Sequence, residues 1–174
     1  NTTNACALDI LENTLKVPCF DLINSVSELV DKKIIGVLAT QTTVKSSYYK
    51  NAITSKKKDT IIFEQECPEF VSEIEKEKIN HNRINYLSDL YLRPLINKNI
   101  EELILGCSHY PLIYDFLREK LDSNIKIIDP STALIKKFNR CFTISETDLY
   151  QSPSFGNIKF FVTSENDLFS KKVK

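Results

Sequence analysis

Methionine is missing from all 174 residues, position 1 included, and glycine occurs three times and histidine twice. Three glycines scattered at positions 36, 106 and 156 exclude a Gly-x-Gly-x-x-Gly dinucleotide fingerprint and a phosphate-cradling P-loop, which need their glycines in one short loop. Two histidines, His81 and His109, leave no His-rich metal centre. The five cysteines (Cys6, Cys19, Cys67, Cys107 and Cys141) are odd in number and contain no Cys-x-x-Cys pair. That pattern fits free thiols in a reducing compartment, not a disulfide framework or a zinc site. Charge of one sign is not in excess either: 23 Lys and Arg balance 23 Asp and Glu, so nothing points to nucleic acid or a membrane surface. No apolar run reaches bilayer length and no signal-peptide pattern opens the chain. The missing initial methionine, with an opening patterned as a helix N-terminus, leads us to expect a piece of a longer polypeptide.

What is present is a soluble α/β pattern. The 42% hydrophobic content suffices for a core and the 26% charged residues suit a solvated surface. The length allows one good-sized domain, or one domain plus part of another. Apolar runs alternate with amphipathic segments, the signature of a parallel sheet flanked by helices. Strands are expected at 17–20, 33–39, 61–63, 125–128 and 158–162, with another ending at Cys107. Helices are expected at 4–16, 25–31, 44–53, 70–77, 80–96, 112–121 and 132–138, with Thr2 or Thr3 available to cap the first. The polar stretch 139–157 reads as a long loop, and Lys56-Lys57-Lys58 as a solvated one.

The segment Leu103-Ile104-Leu105-Gly106-Cys107-Ser108-His109-Tyr110-Pro111 carries the most chemistry. An apolar run of this kind is a strand covered on both faces, Gly106 marks its end, and Pro111 suits the first turn of a following helix. Cys107 then sits at the carboxyl end of a parallel strand, where open α/β sheets bind ligands. Backbone N–H groups and a helix dipole there are expected to lower its pKa, with His109 as an acid/base or ion-pair partner. A buried structural cysteine beside a surface histidine is the equal alternative. Thr40 and Thr43 follow the strand at 33–39 and Glu64 to Cys67 the next, so one rim collects hydroxyls, helix N-termini and a thiol. Such a rim suits a small carboxylate ligand, although single threonines there more often serve as helix caps.

These motifs resemble those of the glutamate racemases, in the cofactor-independent aspartate/glutamate racemase superfamily. Leu105 to Pro111 resembles the family's Gly-Cys-Thr-His-Tyr-Pro motif around the second catalytic cysteine, with Ser108 where threonine is usual. Asn1-Thr2 resembles the residues directly after the first catalytic cysteine. Ile35 to Thr40, continuing through Thr43, Val44 and Ser46, resembles the Gly-Thr-x-x-Thr-Val-x-Ser segment. Cys67-Pro68, with Phe70 and Val71, resembles Cys-Pro-x-Phe-Val, and Glu75 occupies the place of an acidic residue near the active site. Ile128 to Ser131 and Phe160 to Thr163 resemble later segments.

The resemblance implies flavodoxin- or Rossmann-like α/β lobes: one complete over 24–129, the other present only as remnants at 1–23 and 130–174, with apolar faces left uncovered. It implies that two cysteines on opposite faces of the α-carbon interconvert L- and D-glutamate without cofactor or metal. Cys107 would act on the L-side, His109 would assist its proton transfers, and Glu75 would polarise His109. Asn1, Thr2, Thr40, Thr43, Ser108 and His109 would bind the substrate. The first cysteine would stand just before Asn1, so this chain alone is expected not to racemise. A cytoplasmic homodimer supplying D-glutamate for peptidoglycan is implied as well. The alternatives are a non-catalytic module that binds an acidic amino acid, and a thiol redox enzyme using Cys107.

Overall fold

The computed structural model describes residues 1–142. Helix α1 (Thr2–Thr14) and the short α2 (Leu22–Val26) precede strand β1 (Ile34–Ala39), followed by α3 (Gln41–Ser46), α4 (Tyr48–Lys56) and β2 (Ile61–Glu66). Next come α5 (Phe70–Ile74), the long α6 (His81–Ile96), β3 (Glu102–Gly106), a 3₁₀ turn at Tyr110–Ile113 and α7 (Tyr114–Arg118). Strand β4 (Lys126–Ile128) and α8 (Pro130–Phe142) complete the described chain.

The strands form one parallel sheet in the order β2-β1-β3-β4. Alternate residues feed two cores, which is why β1, and β3 after its opening Glu102, read as apolar runs. Ile35, Val37, Ala39 and Ile104 pack with Ile23, Tyr49, Ile53 and Ala133 on the α2, α4 and α8 side. Leu38, Leu103 and Leu105 pack with Phe70, Leu87, Leu92 and Leu117 on the α5 to α7 side. The chain leaves β1 toward one edge of the sheet for β2, and leaves β3 toward the other edge for β4. The carboxyl ends of β1 and β3 therefore flank the topological switch point, where a crevice opens in sheets of this kind.

Several local expectations are corrected by side-chain hydrogen bonding. Residues 17–20 form no strand; they link α1 to α2, with Val17 exposed. Helix α2 starts earlier than expected because Asp21 accepts the Asn24 N–H at 2.8 Å as its cap. The helix expected over 44–53 is two helices broken at Ser47, whose φ of 54° is left-handed. Ser46 Oγ donates to the Thr43 carbonyl at 2.6 Å and accepts from Tyr48 N–H at 3.2 Å. Such bonds compete with the helical ladder, and here they turn the chain. The helix expected over 112–121 is a 3₁₀ turn followed by the short α7. Helix α8 starts at Pro130 and takes in 139–142, the beginning of the expected loop. The remainder of that loop and the strand at 158–162 lie outside the described residues.

Glu64 on β2 is half-buried, and its Oε1 has no hydrogen-bond partner among the described residues. Desolvation pushes its pKa up to about 7, with nearby Lys50 only partly countering. A carboxyl raised on folding favours the protonated protein, so its contribution is full below the unfolded value and is lost as pH rises through about 7. Solvent screening reduces the effect at this half-exposed position to about 1 kcal/mol between pH 5 and pH 8. Glu64→Gln is expected to remove that part of the slope. Urea unfolding of both proteins at the two pH values checks it, and parallel profiles would count against the assignment.

Candidate active site

The rim above β1 and β3 is built from four separate stretches of chain. Thr40 directly follows β1 and caps α3. Its Oγ1 lies 3.0 Å from Thr43 Oγ1 and 3.0 Å from Thr2 Oγ1, and the Thr2–Thr43 pair is 3.2 Å apart. Three hydroxyls thus converge where the first turn of α1 meets the β1–α3 junction. Thr43 is buried, Thr40 half-buried and Thr2 exposed. The capping role and the convergence coexist at Thr40.

Cys107 follows β3, with its sulfur 3.7 Å from His109 Nδ1. The other ring nitrogen, Nε2, lies 2.9 Å from Glu75 Oε1. Glu75 comes from the end of α5, whose position is set by the Cys67 turn. There Cys67 N–H donates to the Ala39 carbonyl at 2.9 Å, and the Tyr110 hydroxyl donates to the Cys67 carbonyl at 3.4 Å. Phe70 packs edge-on against Tyr110, 5.2 Å between centroids. These contacts hold the carboxylate, imidazole and thiol in a row.

The row opens into a cleft of about 290 Å³. Cys107, Ser108 and His109 line one side, with Val71 of α5 beside them. Asn1, Thr2, Thr3 and Thr40 line the other. Every site residue expected from the sequence is therefore at this cleft or one bond behind it: Thr43 behind Thr40, and Glu75 behind His109. Val71 and Thr3 were not among them, and Tyr49, whose phenol donates to Asn1 Oδ1, was missed as well. A larger cleft of about 570 Å³ lies along the outer face of α6 beside Tyr86, Leu90 and Pro94. It has neither a thiol nor converging hydroxyls, so the smaller one is the candidate site.

The expected lowering of the Cys107 pKa is overturned. Burial dominates and pushes the thiol up, although the His109 and Tyr110 N–H groups pull the other way. The element after Cys107 is a four-residue 3₁₀ turn and then a five-residue helix, too short for much of a dipole to accumulate. A raised thiol rests neutral, yet the thiolate formed from it is the stronger base.

Among the described residues no helix is long and apolar enough to cross a membrane, and no group of three or more His, Cys, Asp or Glu is placed to hold a metal.

A family model described as Asp/Glu/Hydantoin racemase matches residues 2–138. The glutamate racemase of Prochlorococcus marinus (strain NATL1A) is 46% identical over 100% of this chain and 66% of its own length. Among solved structures, the glutamate racemase of Francisella tularensis subsp. tularensis SCHU S4, in complex with D-glutamate, superposes with a TM-score of 0.75 at 34% identity, over 82% of this chain and 54% of that one. A glutamate racemase isoform of Bacillus anthracis gives 0.76 at 25% identity, over 82% and 55%. The chain thus spans slightly less than two thirds of the curated relative's length, and about half of the solved ones.

Proposed function

The chain belongs to the Asp/Glu/hydantoin racemase family, and from that premise we propose that it carries one side of the proton-transfer machinery of a glutamate racemase. The observation that supports this most directly is the Glu75–His109–Cys107 row opening into a cleft where threonine hydroxyls converge. With Nε2–H donating to Glu75, His109 presents Nδ1 as the acceptor for the Cys107 thiol proton. The carboxylate stabilises the imidazolium so formed. The freed thiolate takes the Cα proton of bound glutamate.

That proton is very weakly acidic, and the reading calls for no cofactor to spread the charge. Positioning, exclusion of water and hydrogen bonds to the carboxylate as it becomes enediolate must lower the barrier. In this reading Asn1, Thr2, Thr40 and Ser108 supply those bonds, all being donors through a hydroxyl or a carboxamide, and Thr43 supports Thr40 from behind. Inversion needs a second acid on the opposite face of Cα. Cys107 is the single thiol among the described residues lining the cleft, so we propose that this chain performs only the half-reaction on its own side. In the same reading residues 24–129 form one lobe, while 1–23 and 130–174 belong to another. The protein that contains them would work as a cytoplasmic homodimer supplying D-glutamate for peptidoglycan.

Ligand protection tests the site. At pH 8.5, iodoacetamide labelling of Cys107, followed by peptide mass, is expected to slow at least fivefold at saturating glutamate. Cys6 and Cys141, both exposed, serve as internal controls that glutamate leaves unchanged. Labelling of Cys107 at one rate with and without glutamate would remove the proposal.

A further inference from the structure

We infer that Tyr49 is a positioning residue for the ligand cleft, fixing the Asn1 carboxamide so that its NH₂ group, and not its oxygen, faces the carboxylate of the bound amino acid. The inference rests on the acidic-amino-acid site proposed above.

The left-handed turn at Ser47 separates α3 from α4 and sends Tyr49 inward, where the side chain is fully buried. The phenol is satisfied across 48 residues of sequence by donating to Asn1 Oδ1. A buried hydroxyl deprived of such a partner would cost more than the bond is worth in isolation, so the pair is held on both sides. The ring is fixed as well. A Cβ on Gly106 would lie 3.2 Å from Tyr49 Cε2, so the tyrosine occupies the space left by the glycine just before Cys107. One side chain therefore buttresses both walls of the cleft, the Asn1 wall and the Cys107 wall.

The donor direction follows from electrostatics. Burial, reinforced by Cys107, Asp129, Asp21 and Glu64, drives the Tyr49 pKa far above the usual phenol value, so the group remains a donor at any working pH. An asparagine whose oxygen is engaged by a permanent donor has its two N–H donors left for a ligand. A carboxylate matches that presentation.

The test is a double-mutant cycle in the 174-residue chain, read by calorimetric titration of glutamate. Tyr49→Phe keeps the ring against Gly106 and removes only the hydroxyl. It is expected to weaken glutamate binding about tenfold, and Asn1→Ala by a similar factor. The double variant should bind no more weakly than Asn1→Ala alone, because Tyr49 acts through Asn1. A purely structural tyrosine would give multiplicative losses instead. Such losses, or an affinity for Tyr49→Phe within twofold of the parent, would overturn the inference.

A second measurement works whether or not glutamate binds. In chain labelled with ¹⁵N-asparagine, the Asn1 side-chain NH₂ is expected to be rigid in the parent and to lose order in Tyr49→Phe. Unchanged order would sink the role of Tyr49. Absence of glutamate binding in the parent, with the order loss still present, would instead sink the site reading and spare the Tyr49–Asn1 coupling.

Discussion

In D₂O the chain is expected to exchange the Cα hydrogen of one glutamate enantiomer for deuterium while leaving its optical rotation intact, and Cys107→Ser to slow that exchange about a thousandfold, within the usual range for loss of a general base. The resemblance assigns Cys107 to the L-side, so L-glutamate is the enantiomer expected to exchange. A thiolate removes the proton, exchanges with solvent, and returns deuterium to the same face. Without a second acid across the cleft the configuration is kept. Serine preserves size and position, but its hydroxyl is too weakly acidic to supply an anionic base at neutral pH. Because burial raises the thiol, exchange in the parent should go on increasing with pH beyond the range where a free cysteine would have levelled off.

Proton NMR of the Cα signal, with polarimetry on the same sample, separates the readings. Exchange without inversion supports a one-sided racemase site. Racemisation by the chain alone would refute the single-base reading. Bound glutamate with no exchange of either enantiomer would identify a binding module instead. Peroxide-driven sulfenate or disulfide at Cys107, detected by mass, would speak for the redox alternative.

Gly106→Ala is expected to be the most damaging small substitution in the fold. Its Cβ would lie 2.7 Å from the Leu38 carbonyl oxygen and 3.0 Å from Ala39 Cβ, besides the Tyr49 ring. The carbonyl is main chain of the neighbouring strand at the centre of the sheet, so it cannot move aside without breaking β1–β3 pairing. Overpacking against such an immovable neighbour costs about 3 kcal/mol. Gly36→Ala makes a useful contrast. Its Cβ would come within 2.8 Å of Ile100 Cδ1 and 3.1 Å of Leu95 Cδ1, both ends of side chains that can rotate away, and about 1 kcal/mol is expected there. Denaturant unfolding of the two variants orders them. Equal losses would mean that the sheet yields more than its geometry implies. Labelling of Cys107 in whatever Gly106→Ala protein folds should also quicken, since the turn carrying the thiol must shift.

Much of the sheet was legible because β1 and β3 are covered on both faces and carry little but apolar residues. What misled were places where one side chain redirects the backbone. Asp21 starts α2 early, and Ser46 turns the chain at Ser47; both are ordinary polar residues whose role depends on which neighbour they reach. The strand expected at 17–20 failed because no described strand lies beside it. At the site, the spacing of Cys107 and His109 was informative without help. Glu75 stands 34 residues from His109, and only the family motif suggested that the two meet. The thiol's direction was misjudged because sequence reveals a helix start but not its length, nor how deeply the sulfur is buried. Tyr49 had no local signal at all: its meaning comes from Gly106 and Asn1, each far from it in sequence and on opposite sides of it.

The three-threonine cluster has one more consequence. Each hydroxyl owns a single proton, and in Thr2, Thr40 and Thr43 those protons are already shared within the triangle. An anion entering there would therefore replace bonds instead of adding them, and the triangle would have to loosen. Since Thr2 belongs to α1 and the other two to the sheet rim, ligation under the proposed reading would draw on the same three protons that dock the first helix. Occupancy of the cleft and the grip on α1 would then be two settings of one clasp.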